Sequence, residues 1–263
     1  MSDSTFLVTV TDSLAQGDRG FLCSAGVQSS FSPIATADVL PRLRVGTRIV
    51  SERVSFIVQG VSWLPGVVGQ PSSRVYLVEA VQDMVRGAHL CTAEREGYAL
   101  AWITLSDKGS QGKRVDESGP LVGTLVREKL PLNTVQGFII PDEISQLKGL
   151  LVDLALNQGV DLILTTGGTG VGPRDITPEA TEAVIEKRLP GYERAMTAAS
   201  LLKTPHGAIS RAVAGTLGLS LIVNMPGSPR AVAECLEPLL PTLKHTLKKL
   251  QGDPSDCALL RKD

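Results

Sequence analysis

Between Thr165 and Glu179 the chain reads Thr-Thr-Gly-Gly-Thr-Gly-Val-Gly-Pro-Arg-Asp-Ile-Thr-Pro-Glu. Gly167, Gly168, Gly170 and Gly172 permit positive φ and let backbone N–H groups approach an anion without side-chain obstruction. Thr165, Thr166 and Thr169 add hydroxyl donors. A segment of this kind directly after a strand suits a phosphate cradle. No GK[ST] follows and the glycines are not spaced GxGxxG, so neither a P-loop nor a dinucleotide fingerprint is present. A glycine-rich turn with no ligand fits the same residues. Two carboxylates shift that balance. Asp175 closes the loop, and Asp142, in Pro141-Asp142-Glu143, ends the preceding strand. Carboxylates beside a polyphosphate repel it unless a divalent cation lies between, and Mg²⁺ on one or two carboxylates plus phosphate oxygens is the usual resolution. Each aspartate also has a local alternative. Asp142 can cap the helix that carries Ser145 and Gln146, and Asp175 can close an Asx-turn before Thr177-Pro178. Taken with the glycine loop, the pair favours the metal.

These residues need elements to hold them. Ala99–Leu105, Val135–Ile140, Asp161–Leu164 and Leu219–Val223 are short apolar runs that read as buried strands. Helical spacing covers 120–129, 143–157, 178–187 and 191–202, with a long final helix over 229–250 that Pro238 and Pro241 can interrupt. Strand–helix alternation with apolar strands predicts an α/β domain: a doubly wound, mainly parallel sheet flanked by helices. Ligands of such folds lie at the carboxyl ends of the strands. The other loops to watch are therefore Ser106–Gly112, running on to Asp116–Pro120, and Asn224-Met-Pro-Gly-Ser-Pro229. Trp102, in the first of these strands, reads as core.

Upstream of residue 97 the texture changes. Every basic residue there is arginine, and the first lysine is Lys108. Phe6–Thr11, Arg48–Val61 and Arg74–Val81 read as strands among turn-formers such as Gly17, Gly20 and Gly46. A short helix over Thr36–Leu43 is the only helical candidate, and Thr92–Gly97 reads as a charged connector. The expected division is a small β-rich domain over 1–97, a catalytic domain over 98–252 and a tail over 253–263.

Composition removes several classes of function. The 263 residues carry 26 basic and 27 acidic side chains, so no global field recruits nucleic acid or anionic lipid. No apolar run approaches the roughly 18 to 20 residues of a membrane span, and Met1–Phe6 lacks a secretory pattern. The basic residues Lys244, Lys248, Lys249, Arg261 and Lys262 read as a solvated face. Cys23, Cys91, Cys235 and Cys257 are dispersed without a CxxC pair, as are His89, His206 and His245, which suits buried thiols in a reducing compartment rather than a zinc cluster. A cytoplasmic enzyme or binding protein is expected.

The Thr165–Glu179 segment closely resembles the signature of the MogA/MoaB-type molybdenum-cofactor biosynthesis family. Ser106-Asp107 with Gly112, Asp116-x-Ser118-Gly119-Pro120, Pro141-Asp142-Glu143, Ser210-Arg211 and Asn224–Pro229 match in family order over about residues 98–250. The resemblance implies a molybdopterin adenylyltransferase, which moves AMP from ATP to the pterin phosphate and releases pyrophosphate. It puts Asp142 and Asp175 on Mg²⁺ and the triphosphate, with Gly167, Gly168, Thr169 and Gly170 around phosphate. Ser106, Asp107 and Thr166 line the same cleft, and Ser210, Asn224, Pro226, Gly227 and Ser228 hold the pterin or its phosphate. Arg174 and Arg211 either neutralise developing charge or form intrachain ion pairs. Homotrimers and a molybdenum-insertion partner also follow from the resemblance alone. Two other readings stay open: a non-catalytic pterin-binding scaffold, and a nucleotide-processing hydrolase of the competence-damage type. Residues 1–97 lie outside the resemblance.

Overall fold

The computed structural model describes residues 5–27, 33–66, 69 and 71–254. Phe31, Cys257, Arg261, Lys262 and all but the start of the expected tail lie outside the described residues. The chain divides into two compact units, Met1–Ala99 with Asn157–Gly159, and Leu100–Leu156 with Val160–Asp263.

The first unit is a closed barrel built from β1 (Phe6–Val10), β2 (Arg19–Ser24), β3 (Ala35–Ala37), β4 (Arg48–Val50), β5 (Ser55–Leu64), β6 (Ser73–Ala80) and β7 (Gly87–Glu94). Its strands follow the order β1-β3-β2-β6-β5-β4-β7, and β7 closes the ring by pairing with β1. Alternation drives closure. Phe6, Val8 and Val10 point inward from β1 while Leu7 and Thr9 face out, and the interior is filled by Leu22, Ile49, Phe56, Val58, Tyr76 and Val78. The structure corrects three expectations here. No helix forms over Thr36–Leu43, where β3 gives way to irregular chain. The expected connector is half strand, since β7 runs to Glu94 and leaves only Arg95, Glu96 and Gly97 between it and the next strand. Gly20, expected in a turn, sits inside β2, where a Cβ would collide with the side chain of Ile34.

The second unit contains β8 (Tyr98–Leu105), α1 (Asp107–Ser110), α2 (Ser118–Arg127), β9 (Leu132–Ile140), α3 (Ile144–Val152), β10 (Leu162–Thr166), α4 (Thr177–Glu182), β11 (Lys187–Arg188), α5 (Pro190–Leu201), β12 (Ala214–Leu217), β13 (Ser220–Met225), α6 (Pro229–Leu236) and α7 (Leu240–Leu250). The six strands form one sheet in the order β11-β12-β13-β10-β8-β9. It is a mixed α/β sheet. The pairs β8–β10 and β10–β13 are parallel, whereas β12 runs antiparallel to both β13 and β11. The mainly parallel expectation therefore describes the centre and fails at the β11–β12 edge. That edge was hidden because Ala214–Leu217 is short and contains a glycine. The helix expected over 143–157 is α3 followed by a π-helical turn, Asp153–Gln158. The final helix divides as expected, with Pro241 in the first turn of α7. Trp102 packs into space left by Gly119 and Gly137, where any Cβ would enter its ring.

Candidate functional site

Register decides where the loops emerge. Thr104 of β8 stands opposite Thr166 of β10, and Thr166 opposite Met225 of β13. The chain therefore leaves all three strands at one level of the same sheet edge. Gly167 takes φ +92°, its N–H donates to Met225 O at 3.1 Å, and a Cβ there would lie 2.7 Å from Leu105 O. Only glycine fits between these strand ends. Ser106 N–H donates to Ile140 O at 2.9 Å, which brings the end of β9 and its Asp142 alongside.

The glycine loop is fastened from several sides. Thr177 Oγ1 donates to Gly167 O at 2.8 Å, and Thr177 N–H to Gly168 O at 3.1 Å. Arg211 Nε donates to Gly170 O at 2.7 Å, its Nη2 to Asp175 O at 2.8 Å, and its Nη1 pairs with Glu179. That pairing holds the Glu179 carboxyl below its ordinary range. Arg174, on the same loop and 55% exposed, forks between Asp107 at 2.7 Å and Glu143 at 3.1 Å. Its hydrogen bonds keep the Asp107 carboxyl below the usual aspartate value. Both arginines are thus intrachain ion pairs that tie the loop down.

The two expected metal carboxylates flank this loop, and neither serves as a helix cap. The N-cap of α3 is Glu143 and that of α4 is Ile176, with no side-chain cap bond at either. Asp142 Oδ2 accepts from Asp107 N–H, and Asp107 Oδ1 accepts from Asp142 N–H, both at 3.2 Å. Asp142 Oδ1 lies 3.6 Å from the place a Cβ would take on Gly168. Asp175 Oδ2 accepts from Gly172 N–H at 2.8 Å and lies 2.7 Å from the corresponding place on Gly170. Partial burial pushes the Asp142 carboxyl above the ordinary aspartate value, and the negative charges of Asp107 and Asp175 add to that rise. The Asp107 N–H and the nearby Arg174 guanidinium offset part of that rise. Among the described residues no three His, Cys, Asp or Glu side chains group to hold a metal. A cation here would therefore complete its shell with phosphate oxygens and water, a donor set that suits Mg²⁺.

Two cavities share this edge. The first, about 330 Å³, is lined by Thr104, Ser106, Asp116, Ser118, Thr166, Gly167 and Gly227, among others. The second, about 220 Å³, is lined by Thr169, Gly170, Ser210, Pro226, Met196 and Cys235, among others. Ser106, Thr166, Gly167 and Gly227 fall to the first space and Thr169, Gly170, Ser210 and Pro226 to the second, while Asp107, Asp142, Gly168 and Asp175 line neither. Ser228 caps α6 through Ala231 N–H. Asn224, expected to touch the pterin, is a correction. It is fully buried, donates to Thr165 and Thr181 Oγ1 at 3.1 and 2.9 Å, and accepts from Val213 N–H at 3.2 Å. Its amide fastens β10, α4 and β13 together and is closed to ligand.

Asp116, quoted in a matched motif, and Thr104 had no role assigned in the expected site. Asp116 Oδ2 accepts from Thr104 Oγ1 at 2.8 Å, its Oδ1 accepts from the N–H groups of Ser118 and Gly119, and Thr104 meets Thr166 at 3.0 Å. Ser118 Oγ in turn donates to Gly227 O at 2.9 Å. An aspartate two residues before a helix in a strand-following loop was the available signal. Cys23, Cys91 and Cys235 are buried free thiols, and burial pushes Cys235 up to about 11, unsuited to nucleophilic use.

Residues 101–245 match the family model described as a probable molybdopterin binding domain. A molybdopterin adenylyltransferase of Helicobacter pylori is 38% identical over 153 residues, 57% of this chain and 86% of that protein. Gephyrin of Dictyostelium discoideum is 35% identical over 170 residues, 61% of this chain; the chain spans only 24% of gephyrin's length. The crystal structure of the molybdopterin biosynthesis enzyme MoaB from Thermus thermophilus superimposes with a TM-score of 0.56 at 40% identity, covering 60% of this chain and 99% of that one. Both in the motifs around its glycine loop and in the fold that presents them, the chain belongs to the molybdopterin-binding domain family of molybdenum-cofactor biosynthesis.

Proposed function

We propose that the second unit is a Mg²⁺-dependent molybdopterin adenylyltransferase, joining the AMP moiety of ATP to the terminal phosphate of molybdopterin with release of pyrophosphate. The observation that carries this reading is that Asp142 and Asp175 both approach one glycine loop, Asp142 beside Gly168 and Asp175 beside Gly170, at the common edge of β8, β10 and β13. The names of its relatives agree with it. A phosphate nucleophile is already ionised, so the protein has little proton transfer to perform and must align and neutralise. Bound Mg²⁺ would supply charge neutralisation between the triphosphate and the two carboxylates. Gly167 N–H is taken by Met225 O, so the amides of Gly168, Thr169 and Gly170 are the ones that would meet phosphate, with Arg211 and Thr177 holding the loop carbonyls. Ser106 lines the first cavity, where Thr166 is fully buried with its hydroxyl bonded to Thr104, and Ser210 and Pro226 shape the second. Two neighbouring cavities suit two substrates that must meet end to end. A homotrimer, cytoplasmic placement and delivery of the product to a molybdenum-insertion protein belong to the same reading.

The test is incubation of the purified protein with molybdopterin, ATP and Mg²⁺. Pyrophosphate and adenylylated pterin are expected to appear together and to be lost in folded Asp142→Asn and Asp175→Asn variants. Pterin binding with no pyrophosphate release would make the unit a scaffold, and ATP breakdown without pterin a hydrolase.

A further inference from the structure

One feature of the barrel has the makings of a site. Trp63, near the end of β5, is 51% exposed, and Arg74 of β6 stands directly opposite it in the β5–β6 pairing. The Arg74 guanidinium lies over the indole, 4.8 Å from the ring centroid. A stacked guanidinium is held by its face and keeps its N–H edge available for an anion. Arg42 reaches the same groove from the loop before β4, and that loop is fixed by Tyr76. The Tyr76 Oη donates to Pro41 O at 3.1 Å and accepts from Leu43 N–H at 3.2 Å. Ser24 and Ser73 complete the polar lining of an open space of about 410 Å³, a volume in the range of small-ligand pockets.

The charge pattern is one-sided. Arg19, Arg174, Arg188, Arg211 and Arg230 each meet a carboxylate. Arg42 and Arg74 meet none among the described residues, and no carboxylate lines their groove. Two guanidinium groups lining one space with no carboxylate between them suit an oxyanion, which matches their fork geometry. With Arg74 over one face of the half-exposed indole, a planar ring would take the other. We propose that this groove binds a phosphorylated planar heterocycle, with phosphate between Arg42 and Arg74 and the ring against Trp63. A purine nucleotide and a pterin phosphate share that chemistry. The inference concerns residues apart from the nucleotidyl-transfer site and stands without that assignment.

The test uses the two tryptophans, Trp63 and Trp102. The full-length protein is titrated with AMP and with a pterin monophosphate, with adenosine and inorganic phosphate as controls, and the same series is run on Trp63→Phe. The expected result is a saturable fluorescence change that Trp63→Phe loses and Asp142→Asn keeps. Either heterocyclic phosphate should bind at least tenfold more tightly than either control, and the tighter of the two identifies the source. Arg42→Gln and Arg74→Gln should each weaken the response about tenfold, and Arg74→Lys should do so with unchanged circular dichroism and melting temperature. No Trp63-dependent change with either phosphate would overturn the proposal. So would equal binding of adenosine, or full binding by the folded double variant R42Q/R74Q.

Discussion

Asp142 carries two opposed demands. Its carboxyl is raised by burial and by its anionic neighbours, so the folded chain holds that proton to higher pH than the unfolded chain does. Stability contributed by this group therefore falls as pH rises through the ordinary aspartate value to the raised one, and it stays lower at neutral pH. Asp142→Asn removes the repulsion. It is expected to raise the melting temperature of the free protein by about 1–3 °C while lowering pyrophosphate release by about a hundredfold or more. A lower melting temperature with activity intact would reverse the reading of this residue. The same rise makes protons compete with Mg²⁺. Affinity measured by calorimetry should decline as pH falls through the raised value, and Asp142→Asn should flatten that dependence. Asp107 behaves oppositely. Arg174 lowers its carboxyl, so its contribution is present above the ordinary aspartate value and is lost as pH falls through the depressed one.

At the scale of elements, precision comes from side chains that never touch a ligand. Asn224 joins β10, α4 and β13 with buried hydrogen bonds. Asn224→Ala should destabilise the protein by about 2–4 kcal/mol in urea unfolding, because Thr165, Thr181 and the Val213 N–H are left without their partner. A residue that served only as a pterin contact would leave unfolding unchanged. Gly167→Ala meets both a positive φ and the Leu105 carbonyl. It should cost about 2–3 kcal/mol and spread the strand ends, so activity falls further than stability explains. The strands carrying these loops were legible as apolar runs. The β11–β12 edge was not, because strands of two and four residues carry too little alternation to register.

For the whole molecule, the two units differ in what their sequences disclose. The match with this chain spans 86% of the H. pylori relative and 99% of the Thermus one, which leaves little of either to hold a barrel. A chain beginning at Tyr98 is accordingly expected to retain adenylyl transfer within about threefold, read as pyrophosphate release. A tenfold loss or more would give the barrel a part in turnover. Among the described residues no helix is long and apolar enough to cross a membrane, and α7 turns Lys244 and Lys248 to solvent while burying Leu243 and Leu247.

Sequence alone determined the glycine loop, the two aspartates and the buried strands. These rest on local properties: φ freedom at glycine, charge at a strand end, and apolar runs short enough for a sheet. It also disclosed that the first 97 residues are β-rich. Only the tertiary structure decided that β12 returns antiparallel, that the strands of the first unit close on themselves, and that Thr104 and Asp116 face the same space as Thr166. It alone turned Asn224 from a ligand-facing candidate into a fastener and chose the intrachain ion pair for Arg211. Strand order and register set which distant side chains become neighbours, and a one-residue slip would exchange every inward group for its outward neighbour. No property of a residue within its own segment encodes that choice.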